Sequence, residues 1–253
     1  MTVAVLEGSG FILGTAALTL LCYLLMRYLT GGDPEQHTKD LAGSVIFRVS
    51  ALHGLILALV FAQEMVDYQQ LKFESTVEAN AIADVYFDAR RYDPDLAPVV
   101  QEPIEAYLEL VVSREWDHLA EGKGLFGPAW GQWDAAYEAV LDLEPADQRQ
   151  ESLRSHMLDR IHVISETRVK RENHAAGSIS AMFWFAAMAG VVLIALAYYP
   201  YPVQRHNVML IVMFGAFTGL VLFFISAFSN PFDPPGAIGT GPYLRLIEQI
   251  ARS

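Results

Sequence analysis

A charged or strongly polar residue inside an apolar helix is expensive in lipid, so it is the first place to look for chemistry. Residues 44–62 (SVIFRVSALHGLILALVFA) form such a stretch, interrupted by Arg48 and His53. At about 100° per residue, Ser50, His53, Leu57, Val60, Phe61, Glu64 and Asp67 fall on one face of a continuous helix. The face runs polar, then apolar, then acidic. As a lumen it offers a polar vestibule, a constriction at Leu57, Val60 and Phe61 able to gate by dewetting, and an acidic ring at Glu64 and Asp67. As a packing face it buries His53 in a helix bundle and leaves the two carboxylates at the membrane surface. Arg48 lies on the opposite side, placed to snorkel or to pair with an acid, and carries no transport role in this reading.

Other groups are less suggestive. His53, His174 and His206 fall at different membrane depths, which argues against a bis-histidine haem site. His156 and His162 are six apart and do not share a helical face, so a metal pair is poorly supported. Glu78, Asp84, Glu105, Glu109 and Asp117 read as solvated or inter-helix faces, and Trp116, Trp130 and Trp133 as packing. A single cysteine, Cys22, excludes an internal disulfide, a Cys-based zinc site and a CxxC redox motif. GxxxxGK[ST], HExxH and GxSxG are absent. The expectation is a protein that is not an enzyme, with no catalytic residue, metal or cofactor. A net charge of −12 also excludes a sequence-independent nucleic-acid binder.

The elements that must position the stripe follow from the distribution of charge. The chain has 253 residues, 53% hydrophobic and 18% charged, with a mean hydropathy of +0.28. Four apolar runs at 8–28, 44–62, 179–199 and 208–228 are each close to the ~20 residues needed to cross a bilayer. The first follows Glu7 without a basic leader and is too long for a signal-peptide core, so it is expected to stay as a span. Aromatic residues sit at several run ends, among them Tyr23, Tyr28, Trp184, Tyr198, Tyr199 and Tyr201. Gly215 and Gly219 form a GxxxG pattern, a common motif that permits close helix approach.

Between the second and third runs, residues 63–177 hold 23 acidic and 11 basic residues, so the whole acidic excess lies there. The segment is helical in pattern. Residues 63–92 lack Gly and Pro and continue the second span, and Asp93-Pro94-Asp95 stops them. Further helices are expected over 98–121, 130–143 and from Pro145-Ala146-Asp147 to His174, where the last enters the third span. The fold class is therefore all-α: a four-span helical membrane protein with a cytoplasmic helical domain inserted between spans 2 and 3. The expected division is 8–65 for spans 1 and 2, 66–177 for the acidic domain, 178–229 for spans 3 and 4, and 230–253 for the tail. Arg168, Lys170 and Arg171 before the third span, with Lys72 and Arg245, favour a cytoplasmic location for the domain and both termini. The tail 241–253 (GPYLRLIEQIARS) is expected as a short amphipathic helix on the membrane surface or a neighbouring subunit.

Three segments carry a resemblance: EANAIAD at 78–84, YLELVVSREW at 107–116 and NPFDPPGAI at 230–238. With the order of the spans, they resemble the bacterial bestrophin-like membrane proteins over nearly the whole chain. The resemblance implies a four-span protomer in the bacterial inner membrane and, by a more distant analogy, a pentameric ion channel lined by the second span. Two features depart from bestrophins, which conduct anions through an aromatic-rich neck and carry an acidic calcium clasp after the fourth span. Here Phe61 alone is aromatic in the expected neck, and Asp233 alone is acidic among the residues of 229–240. Glu64 and Asp67 at a pore mouth favour cations. The alternative function is a non-conducting scaffold or stator-like subunit that assembles around a partner protein. Expected partners are further copies of the chain, the bilayer, inorganic ions and a basic cytoplasmic protein drawn to the acidic domain.

Overall fold

A computed structural model describes residues 2–31, 34–176 and 179–253. It is all-helical, and among the described residues no strand occurs. The chain divides into two compact units, Met1–Val66 with Ile179–Ser229, and Asp67–Ser178 with Asn230–Ser253.

The first unit is built from α1 (Thr2–Thr30), the N-terminal stretch of α2 (Gln36–Tyr92), α7 (Ala181–Ala197) and α8 (Arg205–Ser229). Three helices, α1, α2 and α8, are long and apolar enough to cross a membrane. α7 is apolar but 17 residues long, about 26 Å at helical rise, which sits at the short end of a span. It starts as a new helix because Ser180 caps it, its hydroxyl accepting from the Met182 backbone N–H at 3.2 Å. The link from the preceding helix runs through residues 177 and 178, which lie outside the described residues.

The GxxxG pattern is used inside the chain. A Cβ on Gly215 would meet Thr19 Oγ1 and the backbone at Ala16, and one on Gly219 would meet Thr15 Oγ1 and the backbone at Phe11 and Ile12. α8 therefore lies backbone to backbone against α1. The approach brings Thr15 Oγ1 within 2.8 Å of the Gly215 carbonyl, so the threonine hydroxyl is satisfied without water. At the far end of α1, Tyr23 donates to the Tyr201 carbonyl at 3.0 Å and Arg27 to the Tyr199 carbonyl at 3.2 Å.

The second unit contains the rest of α2, then α3 (Ala97–Leu110), a turn of π-helix (Val111–Glu115) and α4 (Trp116–Ala120). It continues with α5 (Gly127–Leu141), α6 (Gln148–Ala176) and α9 (Gly241–Ile250). Its core is Ile82, Val85, Val100, Ile104, Leu108, Val111, Val140, Met157, Ile161 and their neighbours. Residues 98–121, expected as one uninterrupted helix, are instead broken by the π turn. A π turn adds one residue to the helical repeat, and this one ends at Glu115, with Trp116 opening α4; both are buried.

The tail differs from expectation. α9 does form, but it packs into the second unit of its own chain: Tyr243 is fully buried and Leu246 4% exposed. The strip leading to it is also held, since Trp116 Nε1 donates to the Ile238 carbonyl at 2.6 Å.

Candidate functional site

Within the first unit, α2 presents two distinct sides. His53 and Leu57 are buried, 6% and 5% exposed. Leu57 joins Ala187, Leu222 and Ile225 in an apolar cluster, with Phe11, Val60 and Phe61 packed at its margin. The His53 ring lies directly over Gly190 of α7, where even a methyl group would collide with it. Ser50, Val60, Phe61 and Glu64 are half-buried, and Asp67, also half-buried, is the first residue of the second unit. Phe61 meets Phe228 with ring centroids 5.9 Å apart. The stripe read from the sequence is thus brought together on one side of α2, and its central members face α7 and α8.

The other side of α2 is open in the protomer. Arg48, Leu52, Leu55, Ile56, Leu59 and Val66 are exposed, with Leu52 and Leu59 each 63% exposed. At about 100° per residue Arg48, Leu55, Leu59 and Val66 lie opposite His53 and Leu57, with Leu52 and Ile56 on the flank between the two sides. The helix therefore carries a polar residue inward, against a glycine, and a long aliphatic stripe outward with one arginine on it.

The second unit holds a centre that sequence reasoning missed. Glu78 of α2, Glu115 of the π turn and Arg168 and Arg171 of α6 are all within 1% of complete burial. Arg168 pairs with Glu115, and Arg171 pairs with both Glu115 and Glu78. Glu115 also accepts from the Phe126 backbone N–H at 3.1 Å. Tyr107 donates to Glu78 at 2.6 Å, and Tyr243 donates to the same carboxylate at 3.0 Å. The guanidiniums are sandwiched by rings, Arg168 lying 4.3 Å from the Trp130 centroid and Arg171 5.0 Å from that of Trp116. Two carboxylates balance two guanidiniums, so the cluster is neutral as a whole.

The electrostatics follow from that pairing. Burial alone raises the Glu115 carboxyl, but the Arg168 and Arg171 guanidiniums outweigh it and hold the group below its ordinary value. Burial, with the Glu78 charge, pushes Tyr107 and Tyr243 well above the usual phenol range, so both stay protonated donors. Arg168 and Arg171, which in the sequence look like flanking charges of the third span, are instead consumed inside the second unit and contribute nothing to a surface charge bias. Lys170, paired with Glu166 at 2.7 Å, is the exposed one of the three. Glu78 takes the inter-helix option, and Trp116, Trp130 and Trp133 are packing residues, the last donating to the Ile161 carbonyl at 3.0 Å.

His156 has both ring nitrogens engaged, one with Asp88 at 2.7 Å and the other accepting from Arg160 at 3.1 Å. His174 lies 3.6 Å from Glu74. Among the described residues, no group of three or more His, Cys, Asp or Glu is gathered in a way that could hold a metal ion. The three sequence segments singled out for their resemblance meet at the buried charge cluster. They supply Glu78, then Tyr107, Glu115 and Trp116, then the Ile238 carbonyl.

Comparison with known proteins is consistent with that convergence. A model of the bestrophin-like domain matches residues 13–242. Among solved structures, a bacterial bestrophin homologue from Klebsiella pneumoniae carrying a point mutation superposes with a TM-score of 0.68 at 10% identity. The match covers 96% of this chain and 99% of that one. A second mutant of a Klebsiella pneumoniae bestrophin homologue gives 0.67 at 11% identity, over 94% and 96% of the two chains. A mutant described as a membrane protein gives 0.66 at 9% identity, again over 94% and 96%. No curated protein matches the sequence significantly.

Proposed function

Because this chain belongs to the bestrophin-like family, we propose that it is the subunit of a homo-oligomeric ion channel whose conduction path runs along α2. α7 serves as a short fourth span beside α1, α2 and α8. The acidic unit and both termini lie in the cytoplasm of a bacterial inner membrane, with five copies around the path.

The observation that carries the reading is the exposed stripe of α2. An apolar face of this extent must be covered by lipid or by further copies of the chain. Arg48 shares that face, and a guanidinium is tolerated beside a water-filled path far better than against lipid tails. We therefore assign the lumen to Arg48, Leu52, Leu55, Ile56, Leu59 and Val66. His53, Leu57 and Phe61 support the wall from behind, with Glu64 and Asp67 toward its acidic end. In this arrangement Leu52, Ile56 and Leu59 form the constriction and Arg48 a cationic mouth, which favours anions over the cations suggested by an acidic ring. No catalytic step belongs to the proposal.

The test is ion flux from liposomes carrying the purified protein in a salt gradient. The reading expects an anion-directed reversal potential that Arg48→Glu moves toward cations. A folded, oligomeric protein that stays silent in both forms would instead support the scaffold or stator-like alternative.

A further inference from the structure

Where α9 meets α2 and α3, the second unit contains a groove of about 490 Å³. The volume lies within the range of about 300–1,000 Å³ usual for small-molecule sites. Its floor is apolar: Leu108 of α3, 1% exposed, with Ile247, Ile250 and Ala251, which share one face of α9. Its rim is acidic. Glu105 and Glu109 of α3 line it one helical turn apart, and both are exposed. The α9 wall lies past residue 242, where the match to the family domain ends, so the family likeness says nothing of this site.

The charge on this rim is not compensated within the chain. No lysine or arginine lines the groove, and among the described residues neither Glu105 nor Glu109 is in an ion pair. Arg90, whose charge reaches Tyr86, donates instead to the Ser253 carbonyl at 3.1 Å. Like charges four residues apart on a helix repel, so the pair is destabilising as it stands. Glu105 is nevertheless fixed in place. The hydroxyl of Tyr86, a residue only 8% exposed, donates to its Oε1 at 2.8 Å. Burial, with that bond to Glu105, pushes the phenol up to about 12, so the donor keeps its proton.

We propose that this groove binds an aliphatic diamine or polyamine, its ammonium groups pairing with Glu105 and Glu109 and its methylenes covering the apolar floor. The spacing fits such a molecule. Cβ atoms one turn apart on a helix are about 5–6 Å from each other. The two nitrogens of an extended four-carbon diamine are about 6 Å apart. Two ammonium groups relieve the repulsion between the glutamates, and the carbon chain joining them removes Leu108, Ile247 and Ile250 from water. A bare metal ion lacks the ligands it needs: among the described residues no three His, Cys, Asp or Glu are gathered to hold one. It would also leave the floor wet. The groove belongs to the second unit alone, and the proposal stands whether or not the protein conducts.

The experiment is saturation-transfer NMR on the full-length oligomer in zwitterionic nanodiscs, with butane-1,4-diamine as the probe. The expected result is a saturable signal from the diamine methylenes. Butylamine, with one ammonium, binds roughly 2- to 5-fold more weakly, the worth of one exposed ion pair, and butane-1,4-diol gives no saturable signal. Glu109→Gln weakens diamine binding by a similar factor, and Glu105→Gln with Glu109→Gln abolishes it. Ile247→Lys, at a position 37% exposed, supplies an ammonium from the chain itself and also abolishes binding. Each substituted side chain is on the surface, so a folded oligomer is expected throughout. Butylamine equal to the diamine, binding that survives the double glutamine variant or Ile247→Lys, or displacement by magnesium as effective as by sodium at equal ionic strength and no weaker than by the diamine itself would each overturn the proposal, leaving a diffuse counterion only. So would the absence of a saturable signal from the intact oligomer.

Discussion

Replacing Glu115 by Gln keeps the side chain's shape but removes one of the two negative charges that neutralise Arg168 and Arg171. The carboxylate accepts from Arg168 through Nε at 3.2 Å and through Nη2, and from Arg171 through Nη2. Both guanidiniums are within 1% of complete burial, so neither reaches water when the partner is lost. The amide also turns an NH₂ toward donors, so at least one hydrogen bond becomes a repulsive contact. Arg168 Nη1 and Arg171 Nε already lack a partner, leaving no spare acceptor in the cluster to compensate. Breaking one side of a buried pair costs about 3–5 kcal/mol, because a charge is left uncompensated in a low-dielectric interior. For a unit of this size each kcal/mol lowers Tm by roughly 3–4 °C, which gives an expected fall of about 10–20 °C. The assay is thermal unfolding of the full-length protein followed by tryptophan fluorescence, since Trp130 and Trp116 stack on the two arginines and report the cluster directly. A shift under about 2 °C, with unchanged emission, would refute the claim that this charge balance holds the second unit together.

Other consequences are simpler to test. Gly219→Ala places a methyl group against the α1 backbone at Phe11 and Ile12, which has no flexible end to yield, and should cost about 1–3 kcal/mol of stability in detergent; an unchanged Tm would mean that α1 and α8 are not in this close contact. The depressed Glu115 carboxyl contributes stability present above the ordinary glutamate value near pH ~4.3 and lost as pH falls through the lower folded value. Tm should therefore be level from neutral pH down to about 5 and drop below it, with a smaller acid drop in Glu115→Gln. Tyr107 and Tyr243 have the opposite sign: their raised values contribute stability that is complete below pH ~10 and lost as these phenols ionise above it. A Tm scan from pH 9 to 11 that fails to fall would contradict their protonated, donating state.

The long helices were legible because apolar runs and the absence of Gly or Pro over 63–92 are local signals. The orientation of α2 was not. In a soluble helix the apolar side faces inward, but in a membrane both lipid-facing and packing sides are apolar, so periodicity around Leu57 does not say which side is which. The polar residue, His53, went to the packing side because Gly190 of α7 leaves room for its ring, a complementarity between positions more than 130 residues apart. A lone glycine within the third apolar run was the available hint. The charge cluster was hidden for a similar reason: Glu78 and Arg171 are 93 residues apart, and nothing near either names its partner. The π turn has no compositional signature in VVSRE. What the sequence did carry was the set of motif segments, whose residues meet at the cluster although their spacing along the chain gives no geometric reason for it.

The assignment of the lumen to the exposed side of α2 is tested most directly by cysteine modification during flux. In a Cys22→Ala background, Leu59→Cys and Leu57→Cys proteins are reconstituted into liposomes and treated with a water-soluble charged thiol reagent. If the exposed stripe lines a conduction path, the reagent alters flux through the Leu59→Cys protein and leaves the Leu57→Cys protein unchanged. Modification confined to position 57, or no flux from either folded oligomer, would contradict it.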